Sequence, residues 1–323
     1  MTVTIGAIRE AAERIAGAIY PTPLIRLPLA DEAEEVFVKA ENLQRTGSFK
    51  LRGAYNFLAS LTPAERDRGV VAHSSGNHAQ GVACAARLLG IEATIVIPEG
   101  APHLKVERTR AHGAAIVRCG NSSDERERVA RELVESEGYI LVPPFDHPLI
   151  VAGQGTVGLE IVQSLKGVRN VLVPVGGGGL SAGVATAIAA LAPDARVIGV
   201  EPELAADAKE SLEVGRPVSW SAEEVTRTMA DGVRTQRIGD LNFEILRRLL
   251  AGVVTVSEEE IEETARWYLL EARLVVEPTG ALSLAAYRRL RRGASELSLL
   301  PGPTVVVASG GNVGQKAVAS LLD

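Results

Sequence analysis

The sequence predicts an α/β fold built from two open, twisted units, and three observations carry that prediction. Hydrophobic residues make up 46% of the 323 positions but aromatics only 4%, and Ala, Val, Leu, Ile and Gly dominate, as in proteins whose Val/Ile-rich strands are buried on both faces. From Gly69 onward, short Val/Ile-rich runs alternate with helical stretches, the rhythm of a parallel sheet with crossover helices. Several of those runs end in Gly, Ser and Asn turns that lead into a helix.

Composition also excludes classes of function. Net charge is −6, with both signs interspersed. No basic block is present, which argues against a nucleic-acid partner. No apolar run reaches the length of a membrane span. The first 19 residues carry Arg9, Glu10, Glu13 and Arg14 among apolar positions, an amphipathic helix pattern and not a secretory signal. Cys84 and Cys119 have neither metal-ligand spacing nor a disulfide framework, so reduced thiols in a cytoplasmic protein are expected.

The elements follow in order. Residues 5–18 read as a helix. Pro21-Thr22-Pro23 ends it and starts an extended stretch. Residues 36–40 read as a short strand. A helix is expected over 53–61, and Thr62-Pro63 breaks it and starts another. Strands at 70–72, 93–97 and 115–117 alternate with helices at 79–89, 104–111 and 124–137, closed by Gly90, Gly113 and Gly138. Pro143-Pro144 marks the exit from this smaller unit, placed at 68–143. The larger unit takes residues 1–62 and 147–323. It holds a helix at 153–166, strands at 171–175, 197–200 and 304–308, and helices at 180–191, 241–250, 257–272 and 279–292. Residues 211–240 show no regular pattern.

Four stretches carry chemistry. Lys50 sits between Phe49 and Leu51, after Gly47-Ser48. The chain has six lysines; the other five (Lys39, Lys105, Lys166, Lys209, Lys316) read as surface positions or element ends. An amine among apolar groups has a lowered pKa, which suits a Schiff-base lysine, although most lysines beside a phenylalanine only snorkel. Gly176-Gly177-Gly178-Gly179 follows a strand and opens a helix. Its outward amides and the helix dipole suit a phosphate. It is not a P-loop, since no Gly-Lys-Ser/Thr follows, and it is a poor dinucleotide fingerprint. Ser74-Ser75-Gly76-Asn77-His78 ends another strand and offers hydroxyls and amides for a carboxylate, or simply an N-cap. Ser309-Gly310-Gly311-Asn312 is a third such turn. Three anion-friendly turns and one desolvated lysine imply a small phosphate-bearing ligand.

Together with Gly47–Gly53, Ala152-Gly153-Gln154-Gly155-Thr156 and Glu277-Pro278-Thr279-Gly280, these stretches resemble the fold-type II pyridoxal-phosphate enzymes (the tryptophan synthase β-like fold). Within them the chain is most similar to the serine/threonine dehydratase and serine racemase branch, over nearly its full length. The resemblance implies pyridoxal 5'-phosphate linked to Lys50, with Phe49 against its ring, Asn77 on its ring hydroxyl, and Gly176, Gly177, Gly178, Gly179 and the Leu180 amide around its phosphate. Ser309 would face the ring nitrogen and leave it largely unprotonated. Ser74, Ser75, Asn77 and His78 would surround the substrate carboxylate.

The implied reaction converts a 3-hydroxy amino acid, L-threonine or L-serine, to a 2-oxo acid and ammonia. The substrate amine displaces Lys50, and the freed lysine removes the Cα proton. Racemisation, and dehydration of threo-3-hydroxyaspartate, are the alternatives within the branch. Ser75 matches a serine that serves as a second acid/base in its racemases, whereas Phe145 departs from the Asn expected there in a racemase. A nucleotide-dependent oxidoreductase and a non-catalytic pyridoxal-phosphate-binding protein are the rivals from other classes. Glu201, the Ala205 carbonyl and Asp207 resemble the branch's divalent-cation site, a hard oxygen set for Mg²⁺ or Ca²⁺; acidic residues at a helix start are the plainer explanation. A homodimer is implied by resemblance alone. So is the lack of feedback through a C-terminal regulatory domain, since the sequence ends soon after the Ser309 strand.

Overall fold

The structure, a computed structural model, describes residues 3–29, 31, 33–74, 76–101, 103–120 and 123–322. Ten strands form two sheets. They are β1 (Leu24–Arg26), β2 (Val36–Ala40), β3 (Val70–His73), β4 (Ala93–Pro98), β5 (Ala115–Cys119), β6 (Ile140–Leu141), β7 (Asn170–Pro174), β8 (Arg196–Pro202), β9 (Leu250–Val256) and β10 (Thr304–Ala308). The larger sheet has the order β1-β2-β10-β7-β8-β9, and the smaller one β5-β4-β3-β6. All neighbours are parallel except β1, which is antiparallel to β2.

The strands read as unbroken apolar runs because both faces are covered. Val171 and Val173 point into one core with Val305 and Val307, and Leu172 into the other with Val306 and Ala308. This is the period-two alternation of a strand. In the smaller sheet, Val70, Ala72, Ile95 and Ile97 face one core, and Val71 and Val96 the opposite one.

Strand order places the turns. In the larger sheet the chain runs outward from β7 through β8 to β9, while β10 lies on the other side of β7. The order therefore reverses between β7 and β10, and ligands collect beyond the carboxyl ends of strands at such a reversal. The tetraglycine stretch leaves β7 there, and Ser309–Asn312 leaves β10. The smaller sheet reverses between β3 and β6, where Ser74–Asn77 leaves β3 and Pro143-Pro144 follows β6.

Several elements depart from the sequence reading. Helix Lys50–Ala59 begins at Lys50 itself, three residues earlier than expected. Helix Pro148–Ser164 begins five residues early, with Pro148 in its first turn and His147 Nδ1 accepting from the Leu149 amide at 3.2 Å. β9, β6 and helices Asp207–Val214 and Gln315–Ser320 had not been expected. Lys39 is not a surface lysine. It is 1% exposed, with its amine on the Thr22 carbonyl at 2.6 Å and paired with Glu160.

Candidate active site

Lys50 is held from three directions. The turn before it pairs with the turn after β10: the Phe49 amide donates to the Ser309 carbonyl at 3.2 Å, and the Gly311 amide to the Gly47 carbonyl at 2.9 Å. Behind it, Arg52 is fully buried and grips two carboxylates. Its Nε and Nη2 donate to Glu41 at 2.8 Å each, and its Nη1 and Nη2 to Glu160 at 2.6 and 2.9 Å. Burial raises the Glu41 pKa, but the Arg52 guanidinium, with Lys39 and the Thr22 hydroxyl, together more than offset that, so Glu41 stays below the ordinary carboxylate range. Across from it, helix Lys50–Ala59 crosses helix Pro148–Ser164 at Gly53 and Gly153. A Cβ on Gly153 would lie 2.6 Å from the Gly53 Cα, closer than any real side chain packs.

The Lys50 amine donates to the Pro144 carbonyl at 2.8 Å and lies 5.4 Å from the centre of the Phe49 ring. Lys50 keeps a partly exposed edge on a cavity, while its amine is enclosed, and desolvation lowers its pKa to about 8. That cavity is lined by Phe49, Lys50, Phe145, Gly176 to Gly179, Leu180, Thr279 and Ser309, among others. The tetraglycine stretch thus shares a cavity with Lys50.

These glycines are required for close approach. A Cβ on Gly177 would fall 2.3 Å from the Phe145 ring, and Gly178 has φ +88°, a left-handed conformation that glycine adopts without strain. Helix Gly179–Leu191 starts within this stretch, and its first amides lack intrahelical acceptors. The Gly177 carbonyl points away, accepting from Gly239 N and Asn242 Nδ2. Free amides and a helix N-terminus without side chains in front of them fit a phosphate group. An enclosed lysine in the same cavity fits the cofactor's aldehyde. Ser309 is 1% exposed, and among the described residues its hydroxyl makes one long 3.5 Å contact, to the Thr279 carbonyl.

The remaining expected residues lie around this core. Ser74 Oγ accepts from the Gly76 amide at 3.2 Å. Asn77 opens helix Asn77–Leu89 and donates from Nδ2 to Glu277 Oε1 at 2.6 Å. His78 is buried, with Nε2 3.2 Å from the Val142 carbonyl. Burial, with the Lys50 charge nearby, lowers its pKa to about 3, so the ring is neutral and Nε2 carries the proton. Ser74, Asn77 and His78 do not line the cavity. Ser75 lies outside the described residues.

Glu201, Ala205 and Asp207 are buried together at the carboxyl end of β8, away from the cavity. Glu201 accepts from the amides of Ala208 at 3.1 Å and Lys209 at 2.8 Å, so it caps helix Asp207–Val214. Neither Asp207 carboxylate oxygen has a hydrogen bond of ordinary geometry among the described residues, although the Ile238 amide lies close enough to favour the charge. Burial nevertheless raises the Asp207 pKa to about 7. Two buried carboxylates, one of them with orphaned oxygens, suit a divalent cation. No cluster of three or more His, Cys, Asp or Glu side chains able to hold a metal occurs among the described residues.

Sequence reasoning passed over several wall residues. The Pro144 carbonyl had no side-chain signal. Gly232, Val233 and Thr235 line the cavity from the stretch that showed no pattern, and the Thr235 hydroxyl is buried with no partner among the described residues. Gln154 and Thr279, inside stretches that were noticed, also reach the wall.

Comparison with known proteins places the chain among relatives along nearly its whole length. A family described as "Pyridoxal-phosphate dependent enzyme" matches residues 15–310. The L-threo-3-hydroxyaspartate ammonia-lyase of a Pseudomonas species is 43% identical over 316 residues, covering 97% of this chain and 96% of the relative. The catabolic L-threonine dehydratase TdcB of Escherichia coli is 43% identical over 323 residues, covering 99% and 96%. The solved structure of maize serine racemase superposes with a TM-score of 0.91 at 35% identity, covering 100% of this chain and 97% of that one. No helix among the described residues is long and apolar enough to cross a membrane.

Proposed function

We infer the reaction from one premise: this chain belongs to the pyridoxal-phosphate-dependent enzyme family, in its ammonia-lyase and racemase branch. The finer reading is a deaminating lyase that converts a 3-hydroxy amino acid, L-threonine or L-serine, to a 2-oxo acid and ammonia. The observation that carries it is the Lys50 amine, desolvated and lining one cavity together with the tetraglycine stretch. When bound, pyridoxal phosphate supplies an electron sink at the substrate Cα. Lys50, with a pKa of about 8, is partly uncharged near neutral pH, as a general base should be. The Pro144 carbonyl aims its amine. Phe49 and Phe145 keep water from the reacting face. The tetraglycine amides hold the phosphate, Ser309 meets the ring nitrogen through a neutral hydroxyl, and Asn77 meets the ring oxygen. Ser74, Ser75, Asn77 and His78 receive the substrate carboxylate once it enters.

The same reading includes Mg²⁺ or Ca²⁺ at Glu201, Asp207 and the Ala205 carbonyl, supported by the orphaned Asp207 oxygens. It also includes a homodimer, a cytoplasmic location, and division into residues 68–143 and residues 1–62 with 147–323. The placement of β3 to β6 within 68–143 supports that division.

The test is reconstitution with pyridoxal phosphate, a visible spectrum, and assay of 2-oxo acid from L-threonine, L-serine and L-threo-3-hydroxyaspartate. A chain that stays colourless overturns the reading, as does activity that survives Lys50→Ala. A coloured chain without turnover leaves a binding protein. Similarity to maize serine racemase favours one second reading, racemisation, which chiral analysis of unreacted serine detects in the same samples.

A further inference from the structure

Beside the cavity, side chains from both sheet units form one hydrogen-bonded series. Arg108, on helix His103–Ala111, donates from Nη1 to Asn312 Oδ1 at 3.1 Å. Asn312 Nδ2 donates to the Thr46 carbonyl and to Asn77 Oδ1, each at 2.8 Å. Asn77 Nδ2 donates to Glu277 Oε1 at 2.6 Å. Amide oxygen and nitrogen are told apart by their partners, and here one end of the series leaves no choice. A guanidinium only donates and a peptide carbonyl only accepts, so the assignment starts from that end. Arg108 and Thr46 fix Asn312, and Asn312 then fixes the Asn77 oxygen. Burial raises the Glu277 carboxyl pKa to about 7, and Glu277 follows the Asn77 amide.

That nitrogen has two hydrogens, and Glu277 takes one. The nitrogen lies over the turn beside Ser309, since a Cβ on Gly310 would sit 3.1 Å from it. Among the described side chains it has no hydrogen-bond partner other than Glu277, and its second hydrogen is the one the reading above gives to the cofactor ring. The Asn77 oxygen is occupied and cannot turn that way without breaking both contacts.

We propose that Glu277, Asn312 and Arg108 are positioning residues that lock the Asn77 amide with its nitrogen toward the cofactor, so that the ring oxygen meets a donor and is held as an anion. This rests on the pyridoxal-phosphate reading. An acceptor in the same place would favour the protonated hydroxyl instead, and the two forms absorb in different regions. The lock also spans the two units. Arg108 stands on the smaller unit, and Lys105 on the same helix pairs with Asp231 of the larger one. Docking of that helix thus completes the partners of Asn312.

Asn312→Asp tests the lock at nearly constant size. Aspartate keeps, and strengthens, the contact with Arg108, but it only accepts. Asn77 can meet it only by turning its nitrogen away from Glu277 and the ring. The experiment reconstitutes wild type and N312D with pyridoxal phosphate, confirms equal loading by the mass of the borohydride-reduced adduct on Lys50, and compares absorbance. The ratio of visible to near-ultraviolet absorbance is expected to fall about tenfold in N312D, the effect of one hydrogen bond of ~1.4 kcal/mol. Glu277→Gln, which retains an accepting oxygen, should keep the ratio, and Glu277→Met should lower it. This pair decides the matter if N312D does not fold. A coloured wild type with an unshifted N312D, or equal spectra for E277Q and E277M, overturns the lock alone. A colourless wild type overturns the underlying reading, and the lock with it.

Discussion

The sharpest prediction concerns the charge of Lys50 before any cofactor arrives. Burial takes its pKa from 10.5 to about 8, a bias of about 3.4 kcal/mol against the ammonium form. At pH 7 roughly one amine in ten is then free, against roughly three in ten thousand for an ordinary lysine. The assay mixes apo-chain with limiting pyridoxal phosphate from pH 6 to 10.5, traps the adduct with borohydride, and quantifies the Lys50 peptide by mass spectrometry. Dividing by the rate for Nα-acetyl-lysine removes the cofactor's own protonation. The normalised rate should be largest at low pH and fall away above pH 8, where Lys50 has no more protons to lose while the reference amine still gains reactivity. A flat ratio up to pH 10.5 would refute the desolvation argument. The sign for stability is fixed by the same shift. The folded pKa lies below the unfolded one, so burying Lys50 costs stability below about pH 8, and the cost disappears toward pH 10.5. Apo Lys50→Met should exceed wild type by up to about 3 kcal/mol at pH 7 in urea unfolding, and lose that margin by pH 10.5.

Three other outcomes can be measured directly. Arg52→Met leaves Glu41 buried without its main partner, which should cost about 3–5 kcal/mol and lower the melting temperature by roughly 10 °C. Gly153→Ala forces its Cβ against Gly53, three residues from Lys50; kcat should fall about a hundredfold while cofactor loading stays measurable by absorbance. Adding Mg²⁺ or Ca²⁺ at about 100 times its Kd should stabilise the chain by ~2.7 kcal/mol in thermal unfolding. That response should vanish on chelation and in Asp207→Asn, and its absence in wild type would remove the cation from the reading.

Much of the site was legible because it is local. Lys50 with its flanking residues, the tetraglycine stretch and Ser309–Asn312 are each continuous in sequence, and strand order explains why two of the turns meet. What was missed depends on distant partners. Lys39 looked exposed because nothing near it predicts Glu160, 121 positions on. The Pro144 carbonyl serves Lys50 through its backbone, which no residue type announces. β9 (Leu250–Val256) was hidden because its short apolar run adjoins a helix with a strong apolar face of its own. For Glu201 the sequence offered both a metal ligand and a helix start, and its two amide contacts bear out the helix start.

The position of β10 has a consequence for synthesis. It inserts between β2 and β7, so the central strand of the larger sheet comes from residues 304–308, made long after residues 36–40 and 170–174. While the ribosome is still working, β2 and β7 each show an unpaired edge, which invites pairing with other chains. The Ser309 turn, and the support it gives the Phe49–Lys50 segment, arrive with that strand. A nascent chain therefore carries Lys50 for more than two hundred residues before the strand that braces it is made, and topology alone delays the lysine site until residues 304–312 are in place.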